Sequence, residues 1–283
     1  MKLIDAHVHL WDPSAISYPW LSGHRDLNRP FLAVDAAGLG DRGLVLVEAN
    51  AAGEDGLREA HWMHTLSREL PVRAVVAAAP LEDRIRLEQR LEALSLLPLV
   101  KGVRRIVQDE PSEFVRSRDF VGGLRRVSEA GMSFDACVRD SQLPDIAWLA
   151  REVPGARIAL DHLGKPSVTE SGPDRTWSDA LRACAQHPLV WVKLSGLLAE
   201  APDAPDAVFT PYLDIAFGAF GSQRCMFGSD WPVSSATEPR RWERIVGEWL
   251  VRRPDIDAAA VLGGSAAEFY QLERDAGSPG RIP

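Results

Sequence analysis

Eight short apolar runs, each followed by a polar or amphipathic stretch, limit the fold more than any other feature of this chain. They lie at residues 3–8, 44–48, 73–78, 99–104, 133–138, 157–161, 190–194 and 224–227. All are rich in Val, Leu and Ile, as strands buried on both faces must be. Helical patterns lie between them at residues 85–97, 114–130, 142–152, 211–220 and 242–251. In the first of these, Leu87, Leu91 and Leu94 share one face. Eight strands alternating with helices predict an α/β chain folded as a closed (β/α)₈ TIM barrel. An open doubly wound sheet would carry a glycine-rich phosphate turn after its first strand, and none follows here. The first strand instead leads into a long polar and aromatic loop, residues 10–30, expected to form a lid or mouth.

A length of 283 residues, 46% of them hydrophobic, suits one barrel domain over residues 1–283, with a frayed tail at 274–283. The net charge of −8, with no long basic run, argues against nucleic acid or an anionic membrane as partner. No apolar stretch approaches a membrane span, and residues 1–5 carry no signal-peptide core. Cys137, Cys184 and Cys225 are odd in number and far apart, which fits free thiols in the cytoplasm rather than a disulfide framework.

Polar side chains gather at the predicted carboxyl ends of the strands, where a barrel places its active site. His7 and His9 are two apart, so on a continued strand both imidazoles face one way. Such a pair binds a divalent metal, hydrogen-bonds a substrate oxygen, or is satisfied within the core. His162 ends the sixth strand, and Lys165 follows in a Gly/Pro loop. Asp230 emerges past the eighth strand, where Gly228 and Ser229 give the backbone room. A carboxylate there binds metal or takes a proton from water, or serves as a helix cap or turn former, the reading open to Asp161 as well. Arg104 and Arg105 end the fourth strand and must face opposite ways, so only one points into the mouth. Glu48 is an inward candidate at the end of the second strand, and the side that Lys193 faces is open. His61, His64 and His187 lie away from the strand ends, whereas His24 sits in the first loop.

Several blocks in order carry a resemblance. They are "DAHVHLWD" with "YPW" soon after, "VKGVRRIVQDE", "LDHLGKP", "VKLSGL" and "MFGSDWPV", spanning Asp5 to Val233, with "GGSAAEFY" near the end. Together they resemble the amidohydrolase superfamily, and in finer pattern its sugar-lactonase, L-fuconolactonase-like branch. Pyrone-dicarboxylate lactonases and aromatic-acid decarboxylases are more distant cousins. The resemblance implies a hydrolase that opens an aldonolactone, such as L-fuconolactone, in carbohydrate catabolism. The alternatives are an aromatic-acid decarboxylase of the same superfamily or a pyrone-dicarboxylate type of lactonase. It also implies either one divalent cation, zinc, on His7, His9, His162 and Asp230, or a metal-independent site. A two-metal site is not expected, because the fifth strand (Phe134 to Arg139) has no histidine and the fourth ends in arginines.

On this resemblance Asp230 is the general base for a water. His7, His9, His162 and Arg104 or Arg105 stabilise the oxyanion. Trp11, Trp20 and Trp231 wall the sugar ring, and Glu48, Lys165 and Ser195 bind hydroxyls. The partner is a small lactone; assembly into a homo-oligomer is left open.

Overall fold

The computed structural model describes residues 2–111, 113–234 and 237–273. Its eight strands are β1 (Ile4–Val8), β2 (Gly43–Val47), β3 (Val72–Ala78), β4 (Val100–Ile106), β5 (Ser133–Cys137), β6 (Ile158–Leu160), β7 (Val190–Leu194) and β8 (Cys225–Phe227). All seven successive pairings are parallel and follow chain order. A bridge between Val8 and Trp231 closes the ring, with His9 N donating to Trp231 O and Asp230 N to His7 O, both at 2.8 Å. The expected barrel is therefore observed, each strand within two residues of its predicted bounds.

The helices are α1 (Asp55–Thr65), α2 (Arg84–Ser95), α3 (Arg118–Glu129), α4 (Leu143–Glu152), α5 (Arg175–Ala185), the single turn α6 (Leu197–Glu200), α7 (Thr210–Phe220), α8 (Arg241–Val251) and α9 (Ser265–Phe269). Side-chain caps set several starts: Asp83 accepts from Arg86 N and Asp174 from Thr176 N and Trp177 N. The helix expected over residues 114–130 begins later, after a 3₁₀ turn at Phe114–Arg116. Ser117 leaves the helical conformation there and caps Phe120 N. Pro144 opens α4, where its missing N–H costs nothing. Among the described residues no helix is long and apolar enough to cross a membrane.

Alternation along the strands sorts the side chains into two shells. Leu44, Leu46, Val75, Phe134, Ile158, Leu160, Val190 and Val192 face the helices in the large apolar core. Ile4, Val45, Ala74, Val76, Ala159, Trp191 and Met226 fill the barrel interior, joined by Phe269 and Tyr270 at the end of α9. Charged side chains lie in the same interior: Glu48, Arg104, Asp135, Asp161 and Lys193 are all buried. An apolar filling would suffice for packing, so buried charges need another reason. The three cysteines are free and buried. The tail expected to fray at 274–283 lies outside the described residues.

Candidate active site

Asp5 ties the two ends of the barrel wall together. Its Oδ1 accepts from Ser229 N at 2.7 Å and from His7 N at 3.3 Å, while Arg42 balances its charge at 3.4 Å. Burial pushes the Asp5 carboxyl up, and Arg42 with these hydrogen bonds offsets part of that. The β1–β2 register shifts between Asp5 and Val8, and His7 and His9 both turn inward. Gly228 is required beside them, because a Cβ there would stand 2.9 Å from His7 Cβ.

The second half of the site comes from two sharp turns. After β6 the chain passes through Asp161 into His162 and Leu163, both left-handed at φ of 54° and 57°. After β8, Asp230 is left-handed too, at φ 55°. Side chains disfavour this conformation, and such residues concentrate at functional sites. Gly196, after β7, makes room for the His162 ring, since a Cβ at 196 would lie 2.3 Å from its Cγ.

Four side chains from β1, β6 and β8 meet at one point. His7 Nε2 and His9 Nε2 are 3.0 Å apart. Asp230 Oδ1 lies 3.6 Å from His7 Nε2, 3.4 Å from His9 Nε2 and 3.8 Å from His162 Nε2. Asp230 Oδ2 accepts from Ser234 Oγ at 2.7 Å, but Oδ1 is buried without a hydrogen-bond partner. Each ring is held from behind: His9 Nδ1 by Val47 O at 2.9 Å, His162 Nδ1 by Ser195 Oγ at 2.9 Å, and His7 Nδ1 by Lys193 Nζ at 3.0 Å and Asp161 Oδ1 at 3.3 Å. Acceptors such as Val47 O and Asp161 Oδ1, which take the second ring N–H, orient ligand histidines in metal sites; the Lys193 ammonium only donates, and in that state it pairs with Asp161 beside His7.

His7, His9 and Asp230 offer ligand atoms close together, and so, separately, do His7, Asp161 and His162. Ligand atoms 2.0–2.1 Å from a zinc ion stand about 3.3–3.4 Å apart, so His7, His9 and Asp230, at 3.0–3.6 Å, fit three of its positions, and His162 Nε2, 3.8 Å from Asp230 Oδ1, stands nearest the fourth. The His7 and His162 rings are also in the correct state. Burial, together with Lys193, holds His7 well below its ordinary value, and burial brings His162 down to about 4. Both are therefore neutral near pH 7, as ligands must be. Burial alone would raise Asp230, but His162, His9 and His7 outweigh it and keep the carboxyl ionised.

Arg104 and Arg105 diverge as the strand pleat requires. Arg104 enters the barrel, where Nε meets Glu48 Oε1 at 2.5 Å and Nη1 stands 3.3 Å from Asp161 Oδ2 and 3.4 Å from His7 Nε2. Its Nη2 donates to Glu48 O. Arg105 turns away to Glu82 at 2.9 Å and Glu110 at 2.5 Å. Both border a cavity of about 740 Å³ above β2, β3 and β4. Glu48, Glu54, Asp109 and Glu110 line it together with Arg86, Arg90, Arg104 and Arg105, and with Asn50 and Gln89. The cavity lies beside the histidines rather than over them, and Arg104 is the side chain common to both.

The remaining expected contacts separate. Ser195 holds His162, and Lys165 is half-buried against Gln108 Oε1 at 2.5 Å. Trp11 is fully enclosed and donates to Leu27 O and Arg29 O, so it braces the first loop and presents no face to a ligand. Trp20 packs edge-on against Trp11 and fixes that loop to Ala49 O at 2.7 Å. Trp231 is buried edge-on against Phe31, and its Nε1 has no partner. His24 packs on Trp20 at the surface.

Sequence reasoning did not give Asp5, Asp135 or Asp161 a part in the site, and left Lys193 open. A carboxylate within an otherwise apolar strand was the available signal, because buried charges demand partners.

The amidohydrolase family profile matches residues 4–272. An L-fucono-1,5-lactonase of Burkholderia ambifaria is 30% identical over 97% of this chain and 97% of its own length. An L-fucono-1,5-lactonase of Burkholderia multivorans is 33% identical over 96% of this chain and 97% of its own. The crystal structure of a Burkholderia multivorans amidohydrolase with bound zinc superposes with a TM-score of 0.84, at 31% identity over 96% of this chain and 100% of that one.

Proposed function

The chain belongs to the amidohydrolase family, and on that premise we propose that it opens the ring of a sugar-acid lactone at the point where His7, His9 and His162 converge on Asp230 Oδ1. The observation that carries this reading is Asp230 Oδ1: buried, without a hydrogen-bond partner, and aimed among the imidazoles of His7, His9 and His162. Such an atom is placed to take a proton from water. The lactonases that align with nearly the whole chain act on an aldonolactone, which gives the substrate class. The cavity supports an uncharged, polyhydroxylated substrate over a dicarboxylate, because its lining holds four arginines and four carboxylates and so no surplus positive charge.

Asp230 Oδ1 accepts a proton as water adds to the lactone carbonyl carbon. The carbonyl electron pair moves onto its oxygen, and the Arg104 guanidinium stabilises the charge that develops there. As the acyl–oxygen bond breaks, protonated Asp230 returns the proton to the ring oxygen. The product is an open-chain hydroxy acid, which ionises at neutral pH. An ester oxygen leaves more readily than an amine, so no stronger acid is required. Glu48, Arg105 and Lys165 are assigned to the substrate hydroxyls, and Ser195 to the orientation of His162. A zinc ion held by His7, His9, His162 and Asp230 would supply Lewis-acid polarisation and a more acidic water. The free, buried cysteines fit a reducing, cytoplasmic setting.

The test is a pH-indicator screen of the purified protein against aldonolactones, with metal analysis of the same sample. Acid release from L-fucono-1,5-lactone or a close stereoisomer is expected. Acid release from none of them, with carbon dioxide lost from an aromatic acid, would overturn the reading in favour of decarboxylation.

A further inference from the structure

Lys193 is fully buried in the centre of the barrel, and nothing in the hydrolytic scheme uses it directly. Its ammonium nitrogen touches three strands: Asp135 Oδ2 of β5 at 2.5 Å, Asp161 Oδ1 just after β6 at 3.0 Å, and His7 Nδ1 of β1 at 3.0 Å. Asp135 is anchored from the opposite end of the barrel, where Tyr270, one residue past α9, donates its hydroxyl to the same Oδ2 at 2.7 Å. A continuous buried chain thus runs from the C-terminal element through Tyr270, Asp135 and Lys193 to the back of His7.

Packing does not explain a charge at this position. Trp191 precedes it by two residues on the same face of β7 and fills the interior with an apolar side chain. A buried ammonium is strongly unfavourable unless paired, and a buried pair is seldom better for stability than an apolar filling. The contact that an apolar residue could not reproduce is the one to Asp161 and His7. Asp161 Oδ1 lies 3.3 Å from His7 Nδ1, and Lys193 holds both members of that pair.

We propose that Lys193 is a positioning residue of the hydrolytic site, anchored by Asp135 and Tyr270, which fixes Asp161 against His7 and so aims His7 Nε2 at the reaction centre. The proposal rests on the lactonase reading, and its test separates the two. Lys193→Met removes the ammonium but leaves Asp135 and Asp161 short of a partner, so instability could masquerade as lost function. The pair Lys193→Met with Asp135→Asn removes one charge of each sign and keeps the net interior charge. It is expected to fold and melt close to the wild type while kcat falls about 10–100-fold and KM stays within about twofold, the loss typical when an outer partner of a site histidine is removed. Zinc affinity, measured by chelator competition, is expected to weaken over the same range.

Recovery of both stability and kcat in the pair would overturn the proposal, because Lys193 would then serve charge balance alone. A wild-type chain inert toward every lactone would refute the hydrolytic reading by itself. In that case an unchanged zinc affinity in the pair would overturn the positioning role, and a weakened one would support it.

Discussion

Adjacent arginines on opposite faces of β4 give a sharp experiment. Arg104→Met strips the partner from Glu48, at 2.5 Å, and weakens the hold on Asp161, at 3.3 Å, both inside the barrel. Removing one member of a buried pair typically costs about 3–5 kcal/mol, because the other charge remains buried. Burial would lower the Arg104 guanidinium, but Glu48 and then Asp161 raise it above its ordinary value. Arg105 keeps 24% of its side chain exposed, against 29% for Glu82 and 30% for Glu110. Solvent screens such pairs, so Arg105→Met should cost at most about 1 kcal/mol. Activity should divide the same way. Loss of an oxyanion donor lowers kcat by about 10²–10³, expected for Arg104→Met, whereas Arg105→Met should mainly raise KM. Urea unfolding and lactone turnover on the two variants decide it. Equal losses, or the larger loss in Arg105→Met, would refute the assignment of Arg104 to the interior.

Two further predictions concern pH. Glu59, on α1, accepts from Ala49 N at 2.9 Å but is buried near Glu48, and burial first, then Glu48, raises its carboxyl to about 8. The unfolded chain releases that proton near 4.5 and the folded chain holds it until about 8, so stability is full below 4.5 and declines as pH rises between them. Glu59→Gln, which cannot ionise, should therefore melt higher than the wild type at pH 7.5, with the gap closing at pH 5; a lower melting temperature at pH 7.5 would contradict this. His162 works in the opposite sense: the unfolded chain takes up its proton near 6.5 and the folded chain only near 4. Its contribution is full above 6.5 and falls by about 1.4 kcal/mol per pH unit on acidification toward 4, with His7 acting in the same direction. A melting temperature that stays flat from pH 7 to 4.5 would exclude this.

The strands were legible because parallel strands covered on both faces read as unbroken apolar runs, and Val190–Leu194 and Ser133–Cys137 stand where those runs lie. The converging quartet was legible because a barrel sends the carboxyl ends of its strands to one mouth. Helix α5 was readable but unread: Asp174 caps it, and Trp177, Leu181, Cys184 and Ala185 form its buried face. The choice between Arg104 and Arg105 was not readable, since strand parity alone does not say which face is inside. Gly102, two residues before Arg104, lies tight against Ser133 of the next strand and shares its face. Trp11 was misleading for another reason. A tryptophan in a mouth loop looks like a ligand wall, but only the fold reveals that Leu27 and Arg29 take its N–H. The left-handed turns at His162 and Asp230 were equally hidden, because tertiary contacts impose a conformation that neither residue favours.

The central claim is that a water is activated at Asp230 Oδ1. The direct measurement is single-turnover hydrolysis of an aldonolactone by Asp230→Asn, with circular dichroism to verify the barrel. Asparagine preserves the shape and can keep the Ser234 contact, but it cannot take the proton. The rate of ring opening is predicted to fall by about 10²–10⁴, the usual contribution of a general base, in a protein that melts like the wild type. Ring opening at the wild-type rate in a folded Asp230→Asn protein would contradict the account.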